Sequence, residues 1–311
     1  MRRRRSGHGH DRRAPLLNDT TPSTALVERT RRVARSVQTT VGWIFWDPGA
    51  VERYAALGIP DQFASPGGYI ASRAAPLAAA GPDAVIAAFG SISPAGIRAV
   101  FELLGGPSRF IDFWHARDEA IAEGLHRYAP TIIEPLCEYG PDLWAVVEQL
   151  PLTGRVLFGA VRSMPRPSDR LLSGWHAVNA LREWRGDTHW ALTVAAGLDH
   201  AEASILHNAW LGYETDWLAL SRGTAPEALE AGWSALSARG LATDRTVTDE
   251  GIELRQRIED DTDRLTVRPW ELLGAERTDA LVELLEPPCT LLLERVDITA
   301  GPNYQPGSRE R

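Results

Sequence analysis

Along residues 176–189 the chain places His176, Asn179, Glu183 and Asp187 three or four positions apart. A helix through them would present all four on one face. Trp190 prolongs that line, and Arg182, Arg185 and His189 form a neighbouring stripe. Histidine changes charge nearest to neutral pH, so His176 or His189 could serve as acid or base. Glu183 could orient one of them, and Arg182 or Arg185 could clamp a carboxylate or an enolate. Gly186, between the stripes, would let a ligand or another backbone come close. Tyr69 and Arg73 share a face at i, i+4 and, with Trp43 and Trp46, could line the same pocket. Two readings stay open. In one, the cluster is a pocket wall, with His176, Glu183 and His189 catalytic and Arg182, Arg185, Trp190, Tyr69 and Arg73 binding a ligand. In the other it is a buried salt-bridge network between helices, Tyr69 and Arg73 are packing, and Asp187 caps a helix starting at Thr188.

Other chemistry is restricted by residue type. All 33 basic side chains are arginine, which excludes Schiff-base lysines and the phosphate-loop lysine. Cys137 and Cys289 stand alone, with neither a disulfide framework nor a zinc spacing. Glu123 and His126 form one Glu-x-x-His pair, with His115 and Glu119 nearby. A dinuclear bundle needs a second pair, so no metal is expected. His200 and His207 are seven apart, about 10 Å along a helix, too far to share an ion. No nucleophile elbow or dinucleotide fingerprint appears, and no cofactor is expected.

The elements that would carry these residues read as helices separated by glycine and proline. Helices are predicted over residues 25–41, 48–57, 69–80, 82–89 and 94–104, then a long interrupted stretch over 108–138. Residues 151–167, with Gly154, Pro165 and Pro167, read as a linker. A helix from Arg170 is expected to break at Gly186-Asp187 and resume. Asp199 with Glu202 forms a capping-box pattern. Further helices follow to Trp210, over 216–220, and from after Thr224-Ala225-Pro226 to an end at Arg239-Gly240. A hairpin over 241–248 has Asp244-Arg245 at its tip, and helices over 249–265 and 269–285 close the series. The expected organisation is a disordered basic tail (1–24), an N-terminal helical domain (25–165), a winged-helix domain (166–286) and a loose C-terminal tail (287–311). The fold class is thus mainly α: two helical domains, the second a winged helix-turn-helix with a short β-hairpin wing. No apolar run follows the basic start and none is long enough for a bilayer, so a cytoplasmic protein without membrane contact is expected.

Residues 233–265 resemble the MarR-type recognition helix, wing and following helix, with Arg239-Gly240-Leu241 at the corner and Thr248 and Gly251 opening the next helix. Over residues 27–286 the chain resembles an actinobacterial helix-turn-helix family of natural-product clusters, the one that includes the salinosporamide-cluster protein SalK. Residues 69–89, 175–207 and 262–270 carry that likeness, most specifically 181–189. It departs after Phe89, where Gly90-Ser91-Ile92-Ser93 replaces a polar, aromatic stretch. The resemblance implies a winged-helix fold with a heritage in transcriptional regulation and, by analogy, a homodimer through the 249–265 and 269–285 helices. The leading reading is a protein that binds a small, partly aromatic or anionic metabolite between its helical domains, with Arg239 and Arg245 as the candidate DNA contacts. Charge argues against a strong grip on DNA. Residues 213–266 hold twelve acids against six bases, and the whole chain carries −8, whereas nonspecific affinity comes from cations on phosphate. The alternative is a cofactor-independent enzyme of specialised metabolism that has kept the winged-helix frame.

Overall fold

The computed structural model describes residues 22–309. The predicted basic tail therefore lies almost wholly outside the described residues. The chain is mainly α, with one two-stranded antiparallel ribbon among the described residues. The helices are α1 (Thr24–Gly42), α2 (Pro48–Ala56), α3 (Asp61–Ala74), α4 (Pro82–Phe89), α5 (Pro94–Leu104), α6 (Pro107–Tyr128), α7 (Ile133–Gln149), α8 (Val156–Ser163) and α9 (Arg170–Ala195). Then come α10 (His200–Trp210), α11 (Trp217–Ser221), α12 (Pro226–Ala238), the ribbon β1 (Ala242–Thr243) and β2 (Thr246–Val247), α13 (Asp249–Leu265), α14 (Arg268–Leu273) and α15 (Ala275–Thr299).

Proline opens α2, α4, α5, α6 and α12, where its missing N–H is one the first turn leaves unpaired anyway. Asp47 caps α2, and Asp199 with Glu202 closes the predicted capping box of α10. The ribbon turns through Asp244 and Arg245, both at positive φ, the two-residue hairpin geometry that matches strand twist.

Two separate apolar cores form. The larger draws on α1 to α9 and takes in α14 and α15. The smaller joins α10, α11, α12, β1 and α13 through Leu198, Ile205, Leu206, Leu229, Leu236 and Ile258. Helix α9 is buried on every side over residues 174–181, as a central helix must be. It packs most closely on α7. A Cβ on Gly174 would sit 2.0 Å from the Leu136 carbonyl oxygen, so only glycine permits that approach.

Three local expectations change. Helix α9 does not break at Gly186-Asp187. The Asp187 carboxylate accepts the Phe158 N–H at 2.9 Å and so caps α8, leaving its own helix continuous. The stretch read as a linker contains α8, which buries Leu157, Phe158 and Val161. Beyond residue 287, expected to be loose, α15 runs to Thr299 through Pro287 and Pro288. Its Pro288, Cys289, Leu292 and Val296 are buried, and α15 lies along α1. Tertiary burial there outweighs the loss of two N–H donors.

Candidate functional site

The predicted cluster divides over three faces of α9. On the first, Glu183 lies between two arginines. Arg73 from α3 donates to its two oxygens at 3.1 and 2.8 Å, and Arg182 donates at 2.6 Å. Arg73 also donates to the Tyr69 hydroxyl at 3.0 Å and stacks on Phe89. Arg182 continues to Gln38, and Gln38 to Gln305. Burial would raise the Glu183 pKa, but Arg73 and Arg182 outweigh it and hold the carboxyl at about 2. Burial would likewise lower Arg73, and Glu183 reverses that. The structure thus brings Tyr69, Arg73, Arg182 and Glu183 together as a closed ion-pair seam. Glu183 orients guanidinium groups there, not a histidine.

On the second face, His176 hydrogen-bonds Asp118 of α6 at 2.8 Å, and Arg117 holds the other Asp118 oxygen at 3.1 Å. Trp114 stacks on the imidazole. Burial lowers the His176 pKa despite Asp118, and Asp118 stays below its ordinary value because Arg117 and His176 overcome its own burial. Glu183 therefore orients neither candidate histidine, and the carboxylate that orients His176 is Asp118. A signal for it existed. Phe110, Phe113, Trp114, Ile121 and Leu125 make an apolar stripe on α6, and Arg117 and Asp118 fall inside that stripe, where isolated charge is found only when paired.

The third face meets α13. Arg185 binds Glu259 at 2.7 Å and Asp263 at 2.6 Å. Arg31 from α1 shares Asp263, and Arg255 shares Glu259. His189 lies one turn further on, 3.1 Å from the Thr262 hydroxyl. That hydroxyl donates to the Ile258 carbonyl, so it accepts from an Nδ1–H tautomer of His189. Here the packing opens into a cleft lined by His189, Trp190, His207, Arg222 and Arg255. Its void is about 10 Å³, room for one water-sized group. Burial, then Arg255, pushes the His189 pKa down to about 3, and burial depresses His207 strongly. Both imidazoles are neutral at pH 7. Sequence reasoning treated His207, Arg222 and Arg255 only as spacing or charge. No helical period connects them, because they come from three elements. The Gly90 segment, where the family likeness departs, borders this cleft. A Cβ on Gly90 would meet the Trp190 indole at 2.1 Å, and the Ser93 N–H donates to the Arg222 carbonyl at 3.0 Å.

Asp187 stands apart. Burial raises its pKa to about 6, against the hydrogen bonds from the Phe158 and Leu157 backbone. A folded value above the ordinary 3.8 means the native state holds a proton the unfolded chain has lost. Its stabilising contribution is therefore complete below about pH 4 and is lost as pH rises through about 6. Asp187→Asn keeps an acceptor for Phe158 and removes the buried charge. Its stability relative to the parent should rise by ~1–3 kcal/mol between about pH 4 and pH 7. Denaturation curves giving a pH-independent difference would refute this.

A wider cleft, about 260 Å³, is lined by α2, α6 and the Arg295 turn of α15. Arg53 meets Glu123 there and Arg295 meets Asp47. Glu119 also lies beside Arg53, and His126 turns to the Ala122 carbonyl, so the Glu-x-x-His residues are engaged separately. No group of three or more potential metal ligands occurs among the described residues.

On the winged face, α12 exposes Glu227, Glu230, Ser234 and Ser237. Arg245 at the ribbon tip is paired with Glu230 and Asp216. Arg239 donates to the carbonyls of Gly197 and Ala196 at 2.9 and 2.8 Å, closing the end of α9. Both predicted DNA-contacting arginines are thus engaged within the chain.

A helical pair, α10 and α12, followed by a two-residue hairpin and a long helix on a small core of its own, defines a winged helix-turn-helix protein. The chain belongs to a helix-turn-helix family, whose family model matches residues 30–299. Comparison with curated proteins and with solved structures gives no match. No helix among the described residues is long and apolar enough to cross a membrane.

Proposed function

We propose that this protein is a MarR-like, metabolite-responsive transcriptional regulator with a weak grip on DNA. The observation that carries this reading is the position of the His189 cleft. Helix α10 lines it with Ala203 and His207, and the same helix supports α12 so closely that a Cβ on Gly232 would lie 3.1 Å from the side chains of Ala201 and Ile205. A ligand wedged between α9, α10 and α13 bears on the helix that sets the angle of α12. It shifts DNA binding to the extent that it prefers one angle over another. The weak grip follows from the acidic outer face of α12 and the engagement of Arg239 and Arg245.

A second copy of the chain is the partner we assign to α15. The inner faces of α13 and α15 are occupied by α1, through Arg31 to Asp263, Arg29 to Asp279 and Arg32 to Glu286. Outside, Leu284, Leu291 and Ile298 recur every seven residues and are exposed, the spacing of a helix-pairing seam. The enzyme reading gains no such support, since Glu183 is closed within an ion-pair seam and His176 is buried in a hydrogen bond to Asp118.

The test is fluorescence anisotropy with the DNA upstream of the protein's own gene, at about 50 and 200 mM salt, with light scattering on the same sample. Expected are a dimer mass and binding that weakens by at least ~10-fold between the two salts. Glu227→Gln with Glu230→Gln should tighten binding several-fold. Absence of binding at low salt, for parent and double variant alike, would remove the regulator reading. A monomer mass would remove the pairing.

A further inference from the structure

The cleft beside His189 has an unbalanced charge. Arg255 is 4% exposed, and its Nη1 is buried with no hydrogen-bond partner. Its other end is committed to Glu259, which also serves Arg185. Arg222 lines the same void, and its guanidinium makes no hydrogen bond or ion pair among the described residues. Burial, together with the like charges of Arg255 and Arg73, lowers its pKa to about 10, whereas an arginine beside a carboxylate is raised. The two histidines add no charge at neutral pH. Two guanidinium groups therefore face one small void, Arg255 sharing Glu259 with Arg185 and Arg222 without a carboxylate beside it. Arg222 is half-buried, and the feature costly for a fold to retain is the buried Nη1 edge of Arg255, which has no acceptor.

We propose that this cleft is a carboxylate-binding site, in which Arg222 and the Nη1 edge of Arg255 hold the head group of a small organic acid beside Trp190. This rests on the metabolite-responsive reading above and names the chemical class of the effector. A guanidinium is the donor suited to a carboxylate, because its N–H groups match the two oxygens in one plane. The void holds a head-group oxygen, and Trp190 supplies an aromatic wall beside it. Carboxylate binding supplies the counter-charge that Arg222 lacks, so the bound state is the more stable one.

The experiment is thermal unfolding and isothermal titration of the full chain without DNA, at constant ionic strength and pH 7, with sodium acetate, sodium benzoate and inorganic phosphate against a sodium chloride control. Benzoate or acetate should raise Tm saturably above chloride, and Arg222→Ala and Arg222→Gln should remove that response at least 10-fold. Neither variant deletes a side-chain hydrogen bond or ion pair among the described residues, so the ligand-free Tm of Arg222→Gln, which keeps most of the packing, should equal or exceed that of the parent, which a merely structural arginine would not show. Equal responses to chloride, or a phosphate response exceeding both carboxylates, would overturn the proposal. So would a benzoate response unchanged in both variants. A chain that binds DNA but no carboxylate overturns this site and leaves the regulator. A chain that binds benzoate through Arg222 but never DNA does the reverse.

Discussion

Glu183→Ala is expected to destabilise the protein by about 3–5 kcal/mol, the range found when one partner of a buried ion pair is removed. The carboxylate is 2% exposed on its side chain, and it neutralises Arg73 at 10% and Arg182 at 13%. Its loss leaves two guanidinium groups facing each other without an intervening charge. Glu183→Gln keeps the shape and loses the charge, so a smaller but clear loss is expected. Arg182→Ala leaves the Arg73 pair intact and should cost least of the three. Acid sensitivity gives an independent check. The folded pKa of about 2 lies below the ordinary value of 4.5, so the stabilisation is present above pH 4.5 and fades as pH falls toward 2. The alanine variant should lack that part of the acid limb. Urea denaturation showing a loss under about 1 kcal/mol would mean that the seam is solvated and not the closed network described.

Gly174→Ala carries the second large effect. The added methyl would stand 2.0 Å from the Leu136 carbonyl oxygen and 2.7 Å from its carbon. Both are backbone atoms, so no rotamer change relieves the contact. Gly140 faces Gly174 across the same crossing, where a Cβ would lie 3.0 Å from the Gly174 Cα. Helices α7 and α9 must separate, loosening Trp175 and Leu143 in the larger core. Overpacking of a well-filled site costs ~1–3 kcal/mol and sometimes more. A backbone clash between two central helices belongs at the top of that range. Gly186→Ala is the control, because its nearest neighbour is a Glu183 oxygen at an ordinary 3.6 Å, and a helical alanine is favoured over glycine. If the two variants melt together, α7 and α9 do not approach as closely as described.

Much of the frame was legible. The helix starts at Pro48, Pro82, Pro94 and Pro226, the capping box at Asp199 and the ribbon turn at Asp244-Arg245 all come from local backbone chemistry. A capping side chain or a proline ring acts within a few residues of itself. The errors at residues 186–187 and 287–288 share one cause. Local propensity marks Gly-Asp and Pro-Pro as breaks, but Asp187 is occupied by α8 and α15 is fastened along α1 over residues far away in sequence.

The site divides in the same way. Residue type and spacing identified residues 176–189 as the polar segment worth following and placed Tyr69 beside Arg73, but they put Arg182 on a different stripe from Glu183, the carboxylate it binds. They could not say which histidine meets which carboxylate. Partners 58 and 110 residues distant, as for His176 with Asp118 and Arg73 with Glu183, are set by how α3, α6 and α9 cross. What the sequence determined alone is a mainly helical chain with a winged hairpin and an acidic α12, since these depend on short-range sterics and on composition. What only the tertiary structure decided is where charge stays uncompensated. A guanidinium is an ordinary residue until packing removes water from it, and packing did so at Arg255 without bringing an acid to Arg222.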